Sequence, residues 1–228
     1  MKDSSGRKKP RTPKARAAKA PPPKPYHHGD LQRALIDAAL GLIEREGAQA
    51  LTLRAAARLA GVSQAAPYRH FPDKDALLAA MAEDGLRTLA TWMRDATAAH
   101  TGDSPRRLQA LGVAYVKFAA AHTAHFRVMF TAVAKDMDAY PALAEASDAV
   151  FALLLDAITQ GQRDGSVRLG NPKELALAAW SIVHGLAELE VGGQVPRLWL
   201  DAGKSGALAE RITGWLGAGI TLPPARAT

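Results

Sequence analysis

Residues 52–78 read TLRAAARLAGVSQAAPYRHFPDKDALL, and the placement of caps and glycine along that stretch decides the fold. Thr52 is a residue type that caps helix N-termini, and a short helix is expected from it through Arg54, Ala57 and Leu59 to Gly61. Gly61 supplies a tight turn. Ser63 is then placed to cap another short helix reaching His70, and Pro72 with Asp73 closes it and opens a longer one, in which Asp75 favours the positive end of the helix dipole. Two brief helices joined by a glycine-containing turn form a helix-turn-helix pattern.

Outward from this stretch the chain is helical in both directions. Leu31, Leu35, Ala38, Ala39, Leu42 and Ile43 recur at three and four residues, with Asp30 placed to cap that helix and Gly47 to end it. Downstream, Ser104-Pro105, Tyr140-Pro141 and Asn171-Pro172 mark helix starts, the last with Glu174 completing a capping box. Helices are expected over about 73–99, 105–121, 123–133, 141–164, 172–192 and 205–219, and no run alternates in the manner of a strand. The fold class is therefore all-α. Residues 1–25 hold Lys, Arg, Ala, Pro and Ser with almost no large apolar side chain, so disorder is expected there. The organisation reads as a basic tail over 1–25, a helix-turn-helix domain over 29–89 and a larger helical domain over 90–222.

Composition excludes several classes. The absence of cysteine removes disulfide scaffolds, thiol nucleophiles and Cys-based metal centres. No apolar run approaches the ~18 residues that a spanning helix needs, and the N-terminal region lacks the apolar core of a secretory signal, so a cytoplasmic location is expected with no membrane partner. GQRDG and GWLGAG are glycine spacings without a preceding strand, and neither a P-loop nor a dinucleotide fingerprint is present, which argues against an enzyme.

The residues Gly61-Val62-Ser63, Tyr68, His70-Phe71, Lys74 and Leu77, at these offsets, closely resemble the DNA-binding domain of the TetR family of bacterial transcriptional regulators, and the resemblance spans about residues 29–89. It implies that the Ser63–His70 segment lies in the major groove of double-stranded operator DNA with its first residues at base edges. Ser63, Gln64, Ala65 and Ala66 are short or hydrogen-bonding, as this requires; Gln64 is suited to an adenine edge and the alanine methyls to thymine. Thr52, Tyr68, His70 and Lys74 match positions that contact phosphates, and Arg54 and Pro67 complete the candidate DNA-binding set. The alternatives are a solvated Gln64, a Tyr68 ring packed in the core and a capping His70. Val62 and Phe71 read as core. Pro67 stands where the family usually has an aliphatic residue, and it removes one amide donor from the first turn.

Charge is distributed unevenly. The chain is formally +7, yet residues 1–28 carry nine basic residues against Asp3 alone, so the tail is +8 and the remainder −1. Residues 29–75 hold six basic and six acidic residues and are neutral. Non-specific affinity for DNA is therefore expected from the tail, acting as a basic arm on phosphates near the operator.

In the second domain, the 172–192 helix is apolar on almost every side and needs cover on two faces. The final helix offers Leu208, Ile212, Trp215 and Leu216 as a matching stripe which, with Leu186, makes the candidate dimer interface. In regulators of this kind the last two helices of each subunit form a four-helix interface, spacing the reading heads about 34–36 Å apart. Trp180, His184 and Gly185 in AWSIVHGLAEL resemble the Trp-His-Gly signature of one C-terminal domain type in the family, which implies a small-molecule effector bound inside the helical body. Candidate lining residues are Phe118, Phe126, Met129, Phe130, Phe151, Trp180 and His184. His122 and His125 lie three apart, but no carboxylate clusters with them by spacing, so no metal and no cofactor are expected. The resemblance as a whole implies a homodimeric, nucleoid-associated repressor released from its operator by a ligand.

Overall fold

The computed structural model describes residues 28–131, 136–195 and 205–220, and the expected basic tail lies outside them. The described residues form helices α1 (His28–Glu46), α2 (Leu53–Leu59), α3 (Lys74–Thr97), α4 (Ser104–Ala121), α5 (Thr123–Met129), α6 (Pro141–Arg163), α7 (Pro172–Val191) and α8 (Ser205–Ile220), with no β-strand among them. The head consists of α1, α2 and the turn after it, closed by the first half of α3. In the body α4 is central, packed against α3, α5, α6, α7 and α8. Helix α3 runs unbroken from the head into the body, so residue 89 falls inside an element that both share.

Side-chain caps open four of the eight described helices. Thr52 accepts from the Ala55 amide at 3.0 Å and Asp73 from the Ala76 amide at 2.8 Å. Asn171 accepts from the Lys173 amide at 3.0 Å, while its own side-chain amide donates to Glu174 at 3.2 Å. Two expected caps are displaced. Helix α1 begins at His28, which places Asp30 inside the helix, and α4 is capped by Asp103, which accepts from the Arg106 amide at 3.0 Å, so that Ser104 becomes the first helical residue. At α4 the Asp103 carboxylate precedes Pro105, whose ring fits the first turn because that position needs no amide donor, and reaches the free amide of Arg106.

Helix α2 ends as glycine allows. Gly61 has φ +70°, its amide donates to Arg58 O at 3.3 Å and the Val62 amide donates to Ala57 O at 3.0 Å, which is the paired closure of a Schellman turn.

The expected helix from Ser63 to His70 departs from expectation. Residues Gln64 and Ala65 form a turn, and regular bonding is confined to a 3-10 helix over Pro67–Arg69. Pro67 is the physical reason: the first α-helical bond after a Ser63 cap would run from residue 67 to the Ser63 carbonyl, and proline has no amide hydrogen and crowds that carbonyl. The chain instead closes with the tighter bonds Ala66 N–H to Ser63 O (3.0 Å) and His70 N–H to Pro67 O (2.9 Å). Helix α5 ends at Met129, short of the expected 133.

Candidate functional site

The turn between α2 and α3 presents the sequence-predicted reading residues to solvent. Ser63, Gln64 and Ala65 are exposed, as are Thr52, Arg54 and Lys74 around them, and Ala66 and His70 are half-buried. Tyr68 is 51% exposed, so its ring is not part of the core. Pro67 differs from the rest of the set: it is buried and underlies the turn without forming part of its surface. Val62 packs against the core and Phe71 is buried in it, as expected. The Thr52 oxygen is engaged as a cap, but a hydroxyl that accepts from an amide keeps its O–H to donate.

In the body the helices enclose an apolar cavity of about 550 Å³. All helices from α3 to α8 contribute to its wall, among them Leu86 and Met93 from α3, Tyr115 from α4, Phe151 and Leu154 from α6, and Trp180 and Val183 from α7. Met129 and Phe130, at the end of α5, line it as well. Of the residues expected to line a ligand site, Met129, Phe130, Phe151 and Trp180 do so. Phe118, Phe126 and His184 do not. Phe118 and Phe126 are sealed in the core, Phe118 edge-on to Trp92 with ring centroids 6.0 Å apart. His184 stands one layer back, its ring 4.5 Å from that of Phe130.

That second layer is a polar relay. The Trp180 indole N–H donates to the Tyr115 oxygen at 3.3 Å, and the Tyr115 hydroxyl is hydrogen-bonded to Nδ1 of His184 at 2.9 Å. Burial pushes the Tyr115 phenol well above its usual range and His184 below its own, which favours the neutral form of both. The polar atoms of Trp180 and Tyr115 beside the cavity are thus engaged with each other and with His184.

A second cluster ties the body to the head. Asp84 on α3 receives the His125 Nε2–H at 2.9 Å and the Arg33 guanidinium of α1 at 2.6 Å, and Arg33 also pairs with Asp37 at 2.9 Å. The hydrogen bond from His125, then the charge of Arg33, hold the Asp84 carboxyl below its ordinary value against a burial effect of opposite sign. Beside it Gly85 admits α5: a Cβ there would stand 2.8 Å from Met129 Sδ and 3.2 Å from His125 Cβ. Spacing alone does not reveal this cluster, because its three members lie on three helices.

The expected dimer residues separate into two groups. Leu186 and Leu208 are buried in their own subunit and Leu216 lines the cavity, so none of these presents a free face. Ile212 is half-buried, and Trp215 is 70% exposed. The apolar surface of α7 lies instead on Leu177, Ile182 and Leu189, all exposed, with Gly185 open between the last two. The histidines have separate partners: His122 packs against Trp92 and Phe118, with its ring 5.8 Å from that of His125, while His125 is hydrogen-bonded to Asp84 and His184 to Tyr115. Among the described residues no cluster of His, Asp and Glu is arranged to hold a metal ion, and no helix is long and apolar enough to cross a membrane.

Comparisons with known proteins agree with this architecture. Residues 35–81 match the family model for bacterial regulatory proteins of the tetR family, and residues 108–213 match a tetracyclin repressor-like C-terminal domain. A protein of unknown function from Rhodococcus sp. RHA1 is 32% identical, with a TM-score of 0.73 over 88% of this chain and 100% of that one. A bacterial regulatory protein in the tetR family from Rhodococcus RHA1 is 20% identical, with a TM-score of 0.67 over 84% of this chain and 97% of its own. The ketosteroid transcriptional regulator KstR2 of Mycobacterium tuberculosis is also 20% identical, with a TM-score of 0.61 over 85% of this chain and 96% of its own. No curated protein sequence matches the chain. Two family models that together cover head and body, on a helical fold shared with solved regulators, make this chain a DNA-binding transcriptional regulator of the TetR family and not an enzyme.

Proposed function

We propose that the protein is a homodimeric repressor, acting on chromosomal DNA in the cytoplasm, that leaves its operator when a small molecule enters the cavity of its body. One observation carries this reading: α5 belongs to both sites. Its C-terminal end walls the cavity through Met129 and Phe130, and one turn earlier His125 holds Asp84, which holds Arg33 of the head. A molecule that displaces Met129 strains the same short helix that fixes the angle of α1, and a coupling of this kind is typically worth about 5–150-fold in affinity.

Recognition is assigned to Ser63, Gln64, Ala65 and Ala66 at base edges and to Thr52, Arg54, Tyr68, His70 and Lys74 at phosphates. The exposure of the loop supports it. Pro67 sets the shape of that loop from beneath and is not assigned a contact. Two heads must be held at fixed spacing to read successive grooves, and the exposed apolar face of α7 together with Trp215 is the surface for this. Sedimentation at micromolar concentration should give a dimer, and Ile182→Arg a monomer.

The head is neutral, so the tail is assigned the non-specific part of the affinity. Selection of duplexes from a random pool by the full chain, followed by titration of the winner and a scrambled control at several salt concentrations, tests the whole reading. The selected duplex should bind at least about 10³-fold more tightly than the control. Removal of residues 1–25 should flatten the salt dependence of both and leave their ratio intact. Equal affinity for both duplexes would defeat the assignment of the head, and unchanged salt slopes would defeat that of the tail.

A further inference from the structure

We infer that the ligand of the body cavity is a cationic amphiphile: an apolar, ring-bearing body ending in a protonated amine. This rests on the reading of the cavity as the effector site and assigns the chemical class it would take. The volume of about 550 Å³ falls among pockets that enclose drug-sized molecules. Its wall is mostly apolar, and four aromatic residues, Tyr115, Phe130, Phe151 and Trp180, line it. Ring faces attract cations.

The polar atoms of the wall divide by what they have left to offer. The Thr213 hydroxyl donates to Ala209 O at 2.7 Å, the Gln109 amide donates to Glu210 O at 3.2 Å, and Tyr115 and Trp180 are engaged with each other and with His184. Ser147 and Asp148 on α6 are different. Neither has a side-chain hydrogen bond or ion pair among the described residues, and both line the cavity, one turn before Phe151 and two before Leu154. Asp148 is exposed at the rim, and no lysine, arginine or histidine is among the described lining residues. The only charge among the described lining residues is thus a carboxylate, with a hydroxyl beside it. An ammonium group, with donors and no acceptor, satisfies both, whereas a carboxylate ligand would meet a like charge with no cation among the described lining residues to pair with it.

Three compounds that share one apolar body test this: 4-phenylbenzylamine, 4-phenylbenzyl alcohol and 4-phenylbenzoic acid. Binding to the full chain is followed by quenching of tryptophan fluorescence, with the thermal shift as a second readout. The amine should bind about fivefold more tightly than the alcohol, the scale of one partly solvated charge pair, and the acid more weakly than either. Asp148→Asn, at an exposed position, should bring the amine to the affinity of the alcohol and leave the alcohol unchanged. Leu154→Trp, which fills the cavity, should abolish binding of all three. If the alcohol or acid matches the amine, or Asp148→Asn leaves the amine unaffected, the class is wrong while the cavity remains a binding site. If none of the three binds, or binding survives Leu154→Trp, the cavity reading fails with it.

Discussion

The head and the body are built from similar apolar helices and use them differently. In the head, Leu35, Leu42, Ile43, Leu51 and Leu77 are all sealed from solvent at 1% exposure or less. In the body, the same kinds of side chain from α3, α4, α6 and α7 turn inward and leave a cavity of about 550 Å³ between them. Close-packed interiors transmit displacement, and interiors with room accept a guest. The difference suits a molecule that presents a fixed surface at one end and is adjustable at the other. The two meet at Asp84 and Gly85, where a helix from the adjustable part is seated against one that belongs to both.

The comparison is broken most severely by deleting a ring on either side of the cavity wall. Phe126→Ala, in the sealed core, should cost about 3–5 kcal/mol in urea unfolding. Phe130→Ala, which already faces empty space, should cost clearly less, and equal losses would mean that the cavity is collapsed in solution. Next in size is Gly85→Ala. Its new methyl group presses on Met129 and His125, so a loss of about 1–3 kcal/mol is expected, accompanied by weaker operator binding from a displaced α5. Thr52→Ala removes the cap of α2 and should cost about 1 kcal/mol, read from the melting temperature.

A smaller effect sharpens the comparison by pH. The Asp84 carboxyl is depressed in the folded state, chiefly by its hydrogen bond from His125, so its contribution to stability is present above the ordinary carboxylate pKa and is lost as pH falls through the folded value. Asp84→Asn should therefore flatten the acid side of the stability profile and leave its neutral side parallel to that of the parent, measured by thermal unfolding between pH 7 and pH 3.

The smallest effect concerns Pro67. Restoring an amide hydrogen with Pro67→Ala should convert the turn after Ser63 into a regular helix, visible as a few added helical residues by NMR chemical shift with little change in stability.

That proline also marks where sequence reading reached its limit. Caps, glycines and apolar spacing located every helix of the head and body to within a few residues except the Ser63–His70 segment, because a lost amide donor was weighed as a local cost when it decides between an α-helix and a 3-10 turn. The exposure of the loop proposed to meet DNA was legible because it is one continuous stretch of chain, Ser63 to Lys74. The cavity was legible only in part. Met129, Phe130, Phe151 and Trp180 line it, but Phe118 and His184, equally aromatic and equally spaced, point into core and second layer, and helical periodicity does not distinguish a wall from the packing behind it. The dimer stripe divides in the same way: Leu186 and Leu208 share the apolar character of Ile182 and Leu189 but are buried within the chain, while Trp215 of the stripe is exposed. The Arg33–Asp84–His125 cluster had no local signal at all, since its partners are 51 and 41 residues from Asp84 along the chain.

The most direct test of the link between cavity and head is the operator affinity of Leu154→Trp, measured by fluorescence anisotropy on the selected duplex. A side chain that occupies the cavity stands in for a bound effector. The account predicts a dimer with an undiminished melting temperature whose dissociation constant for the operator rises at least about fivefold. A variant that is equally stable, equally dimeric and binds the operator as tightly as the parent would contradict it.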